Sequence, residues 1–298
     1  MTGNPYFKIE QVTEGVYAAL AVDMERALGN TAIVDLGNET LILDTFASPQ
    51  AAEVLREVAI ELTGKAPRWV VNSHHHGDHV LGNQCFVESA TFIATAKTHG
   101  KIEELTERAV AYRQSLAEEL DKLRQDATEE SEERAAKIAK LEDGIADLDN
   151  LQITLPTLLF ENKLSLHGTA RSVEILTFGG GHTLSDSLIY LPNDGIVLLA
   201  DLLFQGEKHP WVGDGNPAEW IEILEQVLQL SAETFVPGHG EVTERHDVER
   251  QLAYMRDFVT VVEQKKRNPD WEIDVPEAYR GWEGEEWFKR GVNELASA

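Results

Sequence analysis

The sequence predicts an α/β fold, and three observations carry that prediction. Short β-rich runs alternate with amphipathic helical runs, a strand–helix–strand unit lies in the first third, and 298 residues suffice for one large domain or two smaller ones. From Gly15 to Leu43 the β signal is broken by turn residues: Asn30 to Leu36 reads as one strand, Gly37-Asn38 as a turn, and Thr40 to Asp44 as the returning strand of a hairpin. Ser48-Pro49-Gln50 then opens a helix whose apolar face is Ala52, Val54, Leu55, Val58, Ala59 and Leu62, stopped at Gly64. Arg68 to Asn72 completes a βαβ unit, and in open α/β folds ligands sit beyond the carboxyl ends of such strands. The residues that follow are His74-His75-His76-Gly77-Asp78-His79.

Between about Lys101 and Asn150 the composition turns to dense Glu, Lys, Asp and Arg without Pro, while Ile102, Leu105, Ala109, Tyr112, Leu116 and Leu123, and later Ile138, Leu141, Ile145 and Leu148, keep a heptad-like rhythm. The rhythm breaks at Asp126 to Glu130, where Thr128 can cap a second helix, so residues 101–150 read as an inserted helical hairpin. It is expected to be a solvated pair packed on the surface, with a homo-oligomer contact or a substrate lid as its other roles. After Pro156 strands return at Leu164 to Leu166, Val173 to Leu176, Ser187 to Leu191 and Ile196 to Ala200. An amphipathic helix from Pro217 to Leu230, a strand from Glu233 to Pro237 and a helix from Arg245 to Lys266 follow. In the tail, residues 268–298, Trp271, Trp282, Trp287 and Phe288 are expected to clamp over the core.

Hydrophobic residues are 42% and charged residues 26% of the chain, ordinary globular values. Lys and Arg number 26 against 52 Asp and Glu, a formal net charge of −26 that repels phosphate backbones and anionic membranes. A small-molecule substrate is therefore expected, with no nucleic acid and no membrane partner. No apolar run is long enough to span a bilayer, the start of the chain lacks a secretory signal, and the single Cys85 cannot form an internal disulfide. A cytoplasmic location is the expectation. Cys85 itself reads as a small buried residue rather than a nucleophile.

Four of the 10 His residues fall between His74 and His79. In extended backbone His74 and His76 share a side, giving one cation a pair of imidazoles, while Asp78 and His79 follow the Gly77 turn and address a neighbouring point. Imidazole with carboxylate suits Zn²⁺ best, with Fe or Mn as other candidates. Ligand-type residues recur at other strand ends: His182 after Gly179-Gly180-Gly181, Asp201 at the end of Ile196 to Ala200, and His239 in Pro237-Gly238-His239-Gly240. A carboxylate closing an apolar strand is costly unless it is paired or metal-bound.

These ordered motifs, from Asp44 to Gly240, resemble those of the metallo-β-lactamase superfamily. The resemblance implies a single αββα-sandwich domain over residues 1–298, two sheets face to face with helices outside and the hairpin inserted, and a binuclear metal site at one edge. It further implies that His74, His76 and His182 bind one metal, that Asp78, His79 and His239 bind the other, that Asp201 bridges them, and that Asp44 orients a ligand. Asp201 makes the site similar to glyoxalase II and the general hydrolases, since true β-lactamases of the superfamily usually lack that acid. His76 stands where the flavodiiron relatives usually carry Glu, and the acidic charge opposes the nucleases. The expected activity is therefore binuclear zinc-dependent hydrolysis of an ester, thioester, lactone or β-lactam by a metal-bridging hydroxide, with Asp78 orienting it and accepting its proton. The competing expectations are a mononuclear iron, persulfide-dioxygenase-like oxidoreductase and a weakly catalytic scaffold that works through the hairpin. The stretch Phe204 to Gly215 is expected at the pocket rim, with His209 and Trp211 as substrate contacts, whereas His75 is expected to point away.

Overall fold

In the computed structural model, which describes residues 4–125 and 132–297, the apolar runs become two sheets packed face to face. The first contains β1 (Phe7–Thr13), β2 (Val16–Ala21), β3 (Thr31–Asp35), β4 (Thr40–Leu43), β5 (Pro67–Val71), β6 (Thr91–Thr95) and β7 (Leu158–Phe160), neighbours in space as in sequence. β1 to β4 are an antiparallel meander. From β4 to β7 the pairing is parallel, because each step crosses through helix. The second sheet holds β8 (Lys163–His167), β9 (Ser172–Gly179), β10 (Asp186–Leu191), β11 (Ile196–Phe204), β12 (Thr234–His239) and β13 (Thr243–Glu244), parallel only between β11 and β12. The helices are α1 (Pro49–Thr63), α2 (Gly77–Val80), α3 (Ala96–Gln125), α4 (Glu132–Asn150), α5 (Pro217–Val227), α6 (Arg245–Arg267) and α7 (Glu285–Ser297).

Period-two alternation along the strands builds three apolar layers. Ala18, Ala32, Val34, Leu41, Leu43, Val71 and Ile93 point between the sheets and meet Val173, Ile175, Ile189, Leu191, Ile196, Leu198 and Val236. The intervening Ala19, Ile33, Ile42, Val70 and Phe92 face α1 through Ala51, Leu55, Val58 and Ala59. On the far side Leu188, Val197, Leu199 and Phe235 pack against Trp220, Leu224, Met255, Phe258 and Phe288 from α5, α6 and α7. The result is the αββα sandwich. α1 begins and ends as the sequence indicates: Ser48 Oγ accepts the Ala51 N–H, and Gly64 closes the helix at φ 71°.

Three expectations change. β11 does not stop at Ala200 but continues to Phe204, so Asp201 lies inside the strand; its ladder with β12 shifts register on both sides of Ala200, whose φ is +46°. The inserted hairpin starts at Ala96, ahead of the charged composition, because α3 follows β6 directly. The break at Asp126 to Glu130 and the Thr128 cap lie outside the described residues. α4 is tied to the body through Asp147, 2.7 Å from Arg26 and 2.7 Å from Gln50. In the tail Trp271, Trp282 and Phe288 cover the core as expected, whereas Trp287 is 46% exposed. Among the described residues no helix is long and apolar enough to cross a membrane.

Candidate metal centre

The loops that matter all open at one end of the sandwich. Asp44 follows β4, residues 72–79 follow β5, His182 lies between β9 and β10, Asp201 stands within β11, and His239 ends β12. The structure brings all seven sequence-derived ligand candidates together as two groups that share Asp201: His74, His76 and His182 on one side, and Asp78, His79 and His239 on the other. The rings of His74, His76 and His182 form a triangle with centroids 4.7, 4.8 and 4.9 Å apart. His182 Nε2 is 3.0 Å from His76 Nδ1 and 3.2 Å from Asp201 Oδ2. In the second group His79 Nε2 is 3.1 Å from Asp201 Oδ1 and 3.3 Å from Asp78 Oδ2, while His239 Nε2 is 3.3 Å from Asp201 Oδ2 and 3.5 Å from Asp78 Oδ2.

The opposite nitrogens explain why these atoms face inward. Ser73 Oγ donates to Asp44 Oδ2 at 2.6 Å, so its lone pair can accept from His74 Nδ1 at 2.9 Å; His79 Nδ1 donates to the same carboxylate at 2.8 Å. His182 Nδ1 donates to the Trp211 carbonyl at 3.0 Å, and His76 Nε2 donates to Asp214 Oδ2 at 2.9 Å. With those protons on the outer nitrogens, His74, His76 and His182 turn bare lone pairs to the centre, and His79 turns its Nε2 there, the atom whose proton a bound cation would displace. Asp44, fully buried at φ +62°, thus reaches both groups, one directly and one through Ser73.

Whether the residues fit a cation is answered by the atoms left over. His74 Nε2, His79 Nε2 and Asp201 Oδ1 are buried and have no hydrogen-bond partner, although buried polar atoms almost always do. Imidazole nitrogens and carboxylate oxygens converging at these separations suit a divalent cation in each group. Burial keeps two rings of the first group neutral: it pushes His74 well below its ordinary value and His182 down to about 3. In the second, burial opposes the charge on Asp78, yet His79 and His239 hold its carboxyl at about 2. Burial likewise opposes charge on His79, but Asp201, Asp78 and Asp44 raise it well above the usual imidazole range.

Space around Asp201 is set by Gly238. A Cβ there would lie 1.9 Å from Asp201 Oδ1 and 2.7 Å from both Ala200 C and Asp201 N, and backbone cannot retreat as a side-chain tip can. Gly238→Ala is expected to destabilise the fold by about 1–3 kcal/mol through overpacking. Metal uptake should fall with it; urea denaturation beside metal titration checks both, and an unchanged midpoint with full uptake would contradict the packing.

Some contributors escaped sequence reasoning. Asp186 accepts the N–H groups of Gly181, His182 and Thr183 and so fixes the loop that carries His182; a carboxylate at the head of an apolar strand was its only signal. Ser73 had none beyond its place before His74. The sequence puts Asp214 at the rim and offers no role for it. His209 borders the cavity with its ring fully buried, Nδ1 2.9 Å from Tyr254 Oη and Trp282 and Phe288 around it. Its Nε2 is buried without a hydrogen-bond partner. Trp211 does line the cavity, a space of about 440 Å³ over the two groups. His75 stays outside both groups and lies near His76 and Asp214 on the outer side. Burial raises the Cys85 thiol to about 11, as suits an inert residue.

A layered sandwich with two His/Asp groups at one edge is an α/β architecture with a candidate metal centre. A sequence model described as the metallo-beta-lactamase superfamily matches residues 25–239, and the chain belongs to that superfamily. Among solved structures, the DIM-1 metallo-beta-lactamase superposes with a TM-score of 0.62 at 16% identity, over 86% of this chain and 99% of that one. A metallo-beta-lactamase from Pontibacter korlensis gives 0.61 at 15% identity, over 84% and 99%. In sequence, the 2,4-dinitroanisole O-demethylase subunit alpha of Nocardioides sp. (strain JS1661) is 23% identical over 233 residues, 78% of this chain. The chain spans 55% of that relative's length.

Proposed function

We propose that the protein is a binuclear zinc-dependent hydrolase that attacks a carbonyl carbon. The observation that carries the reading is the pair of groups sharing Asp201, with three buried ligand-type atoms that make no hydrogen bond. His74, His76 and His182 would hold one cation, Asp78, His79 and His239 the other, and Asp201 would touch both. When bound, such a pair lowers the pKa of a shared water towards neutrality and polarises a substrate oxygen. The Asp78 carboxylate, held ionised beside His79 and His239, would orient the attacking water and take its proton. Asp44 fixes the ring of His79 directly and that of His74 through Ser73, and the Trp211 carbonyl fixes His182. Preset donors need no rearrangement as charge develops on the substrate.

Esters, thioesters, lactones and β-lactams are the candidate substrates; 2,4-dinitroanisole, the aryl ether in the name of the Nocardioides relative, has no carbonyl and joins the panel as the compound whose turnover alone would contradict carbonyl attack. The test is a panel of these compounds with zinc-loaded protein, repeated after chelation and after zinc is restored. Turnover of a panel member that falls more than about 10²-fold on chelation and returns with zinc is expected, beyond the ~10–100-fold loss that outer partners alone cause. Turnover indifferent to chelation would contradict the proposal.

A further inference from the structure

We propose that the cavity beside the metal centre is an aryl-binding subsite whose wall is made by Trp211 and Trp287, so that the substrate carries an uncharged aromatic ring. The inference rests on the hydrolase reading for the reaction, and on the cavity walls alone for the ring. The volume of about 440 Å³ falls within the roughly 300–1,000 Å³ of small-molecule sites, which excludes a macromolecular chain as the group held there. Its apolar lining comes from Met24, Leu28, Phe204, Trp211 and Trp287. Met24 and Trp287 are 53% and 46% exposed, large apolar side chains left open to solvent beside polar ligand candidates.

The two indoles are held ready. Trp287 meets Trp211 edge to face, with ring centroids 6.5 Å apart. The Arg290 guanidinium lies 4.9 Å from the Trp211 ring centroid, and a Cβ on Gly213 would sit 2.4 Å from that ring, so Trp211 is packed on more than one side. Its carbonyl takes the His182 hydrogen bond, which ties the wall to the first group of ligand candidates through one residue. Trp287 is brought in by backbone pairing: Glu283 N–H donates to the Glu207 carbonyl at 2.9 Å, and His209 N–H donates to the Glu283 carbonyl at 2.9 Å. Residues 283–287 lie beyond the stretch matched by the superfamily, so this half of the wall is an addition of the C-terminal segment.

Charge decides against an ionic ring. A cationic group would meet Lys208 at the cavity and Arg290 behind Trp211. An anionic one would meet Asp214 and Glu283 on a chain of net charge −26. A neutral aromatic ring can pack edge or face against both indoles without desolvating an ion.

The experiment is calorimetric titration of the zinc-loaded full chain with 1-naphthalenemethanol, a neutral alcohol with no bond to hydrolyse, against its saturated decalin analogue and 1-naphthylmethylammonium. The naphthalene alcohol is expected to bind at least about tenfold more tightly than either comparator. Trp287→Ala should weaken it about tenfold with metal content unchanged, and Trp287→Phe should restore most of the loss. Absence of binding, equal binding of the decalin or ammonium compound, or no effect of Trp287→Ala would overturn the assignment. The two readings fail separately. Aryl binding with a silent hydrolysis panel would contradict the hydrolase and leave the subsite standing, while zinc-dependent hydrolysis of alkyl esters without aryl binding would remove only the subsite.

Discussion

Asp201→Ala is expected to reduce bound metal from about two ions per chain to at most one and to lower hydrolysis by more than about 10²-fold, past the ~10–100-fold cost of losing an outer partner. The reason is position. Oδ2 lies 3.2 Å from His182 Nε2 and 3.3 Å from His239 Nε2, and Oδ1 lies 3.1 Å from His79 Nε2, so one carboxylate serves both groups. Without it the five imidazoles face one another with only Asp78 between them, and a cation in the first group loses its sole anionic ligand. Gly238 leaves room for the carboxylate and for nothing larger, so the small side chain should be accommodated and the loss read as chemistry rather than collapse. Elemental analysis after dialysis, with kcat/KM on the best panel substrate, measures both effects. Two retained ions with near-normal turnover would refute a shared role.

Asp44→Asn should be nearly as damaging, although Asn matches the shape and tolerates the φ of +62° at this position. The wild-type carboxylate accepts from Ser73 N–H, Ser73 Oγ–H and His79 Nδ1–H at once. An amide has one acceptor oxygen. With that oxygen kept by the Ser73 N–H, the amide nitrogen faces His79 Nδ1 and favours the tautomer whose proton sits on Nε2, the atom that must point at a cation. The same reversal upsets the Ser73 to His74 link. Metal affinity is expected to drop about 10–100-fold, with the second group affected first. Competition with a calibrated chelator would detect this, and unchanged affinity would show that the tautomer argument is wrong.

The ligand candidates were legible because their chemistry is written in residue type and local spacing. A cation needs nitrogen and oxygen donors, His74, His76, Asp78 and His79 sit within one short stretch, His182 and His239 lie where strands end, and Asp201 closes an apolar run. The supports were less legible because they act through atoms that every residue has: the Trp211 carbonyl and the Gly181 to Thr183 amides carry no label in the sequence. The surroundings of His209 are not legible either, because its aromatic neighbours Trp282 and Phe288 come from the folded C-terminal segment. Among strands, β1 was missed because a register shift between Gln11 and Thr13 spoils its alternation. β6 was missed because Thr95 leads into α3 at Ala96 with no breaker between them. Asp201 was placed at a strand end for a related reason, since the irregularity at Ala200 looks like termination when only apolar run length is read.

The measurement that bears most directly on the metal centre is the metal content of the wild-type chain, purified without added metal and analysed by elemental spectrometry, followed by zinc titration of the stripped protein. About two zinc ions per chain, with Asp201-dependent loss of the second, is the expected result. About one iron per chain, a refusal to take up a second ion and a silent hydrolysis panel would contradict it and favour a mononuclear oxidoreductase.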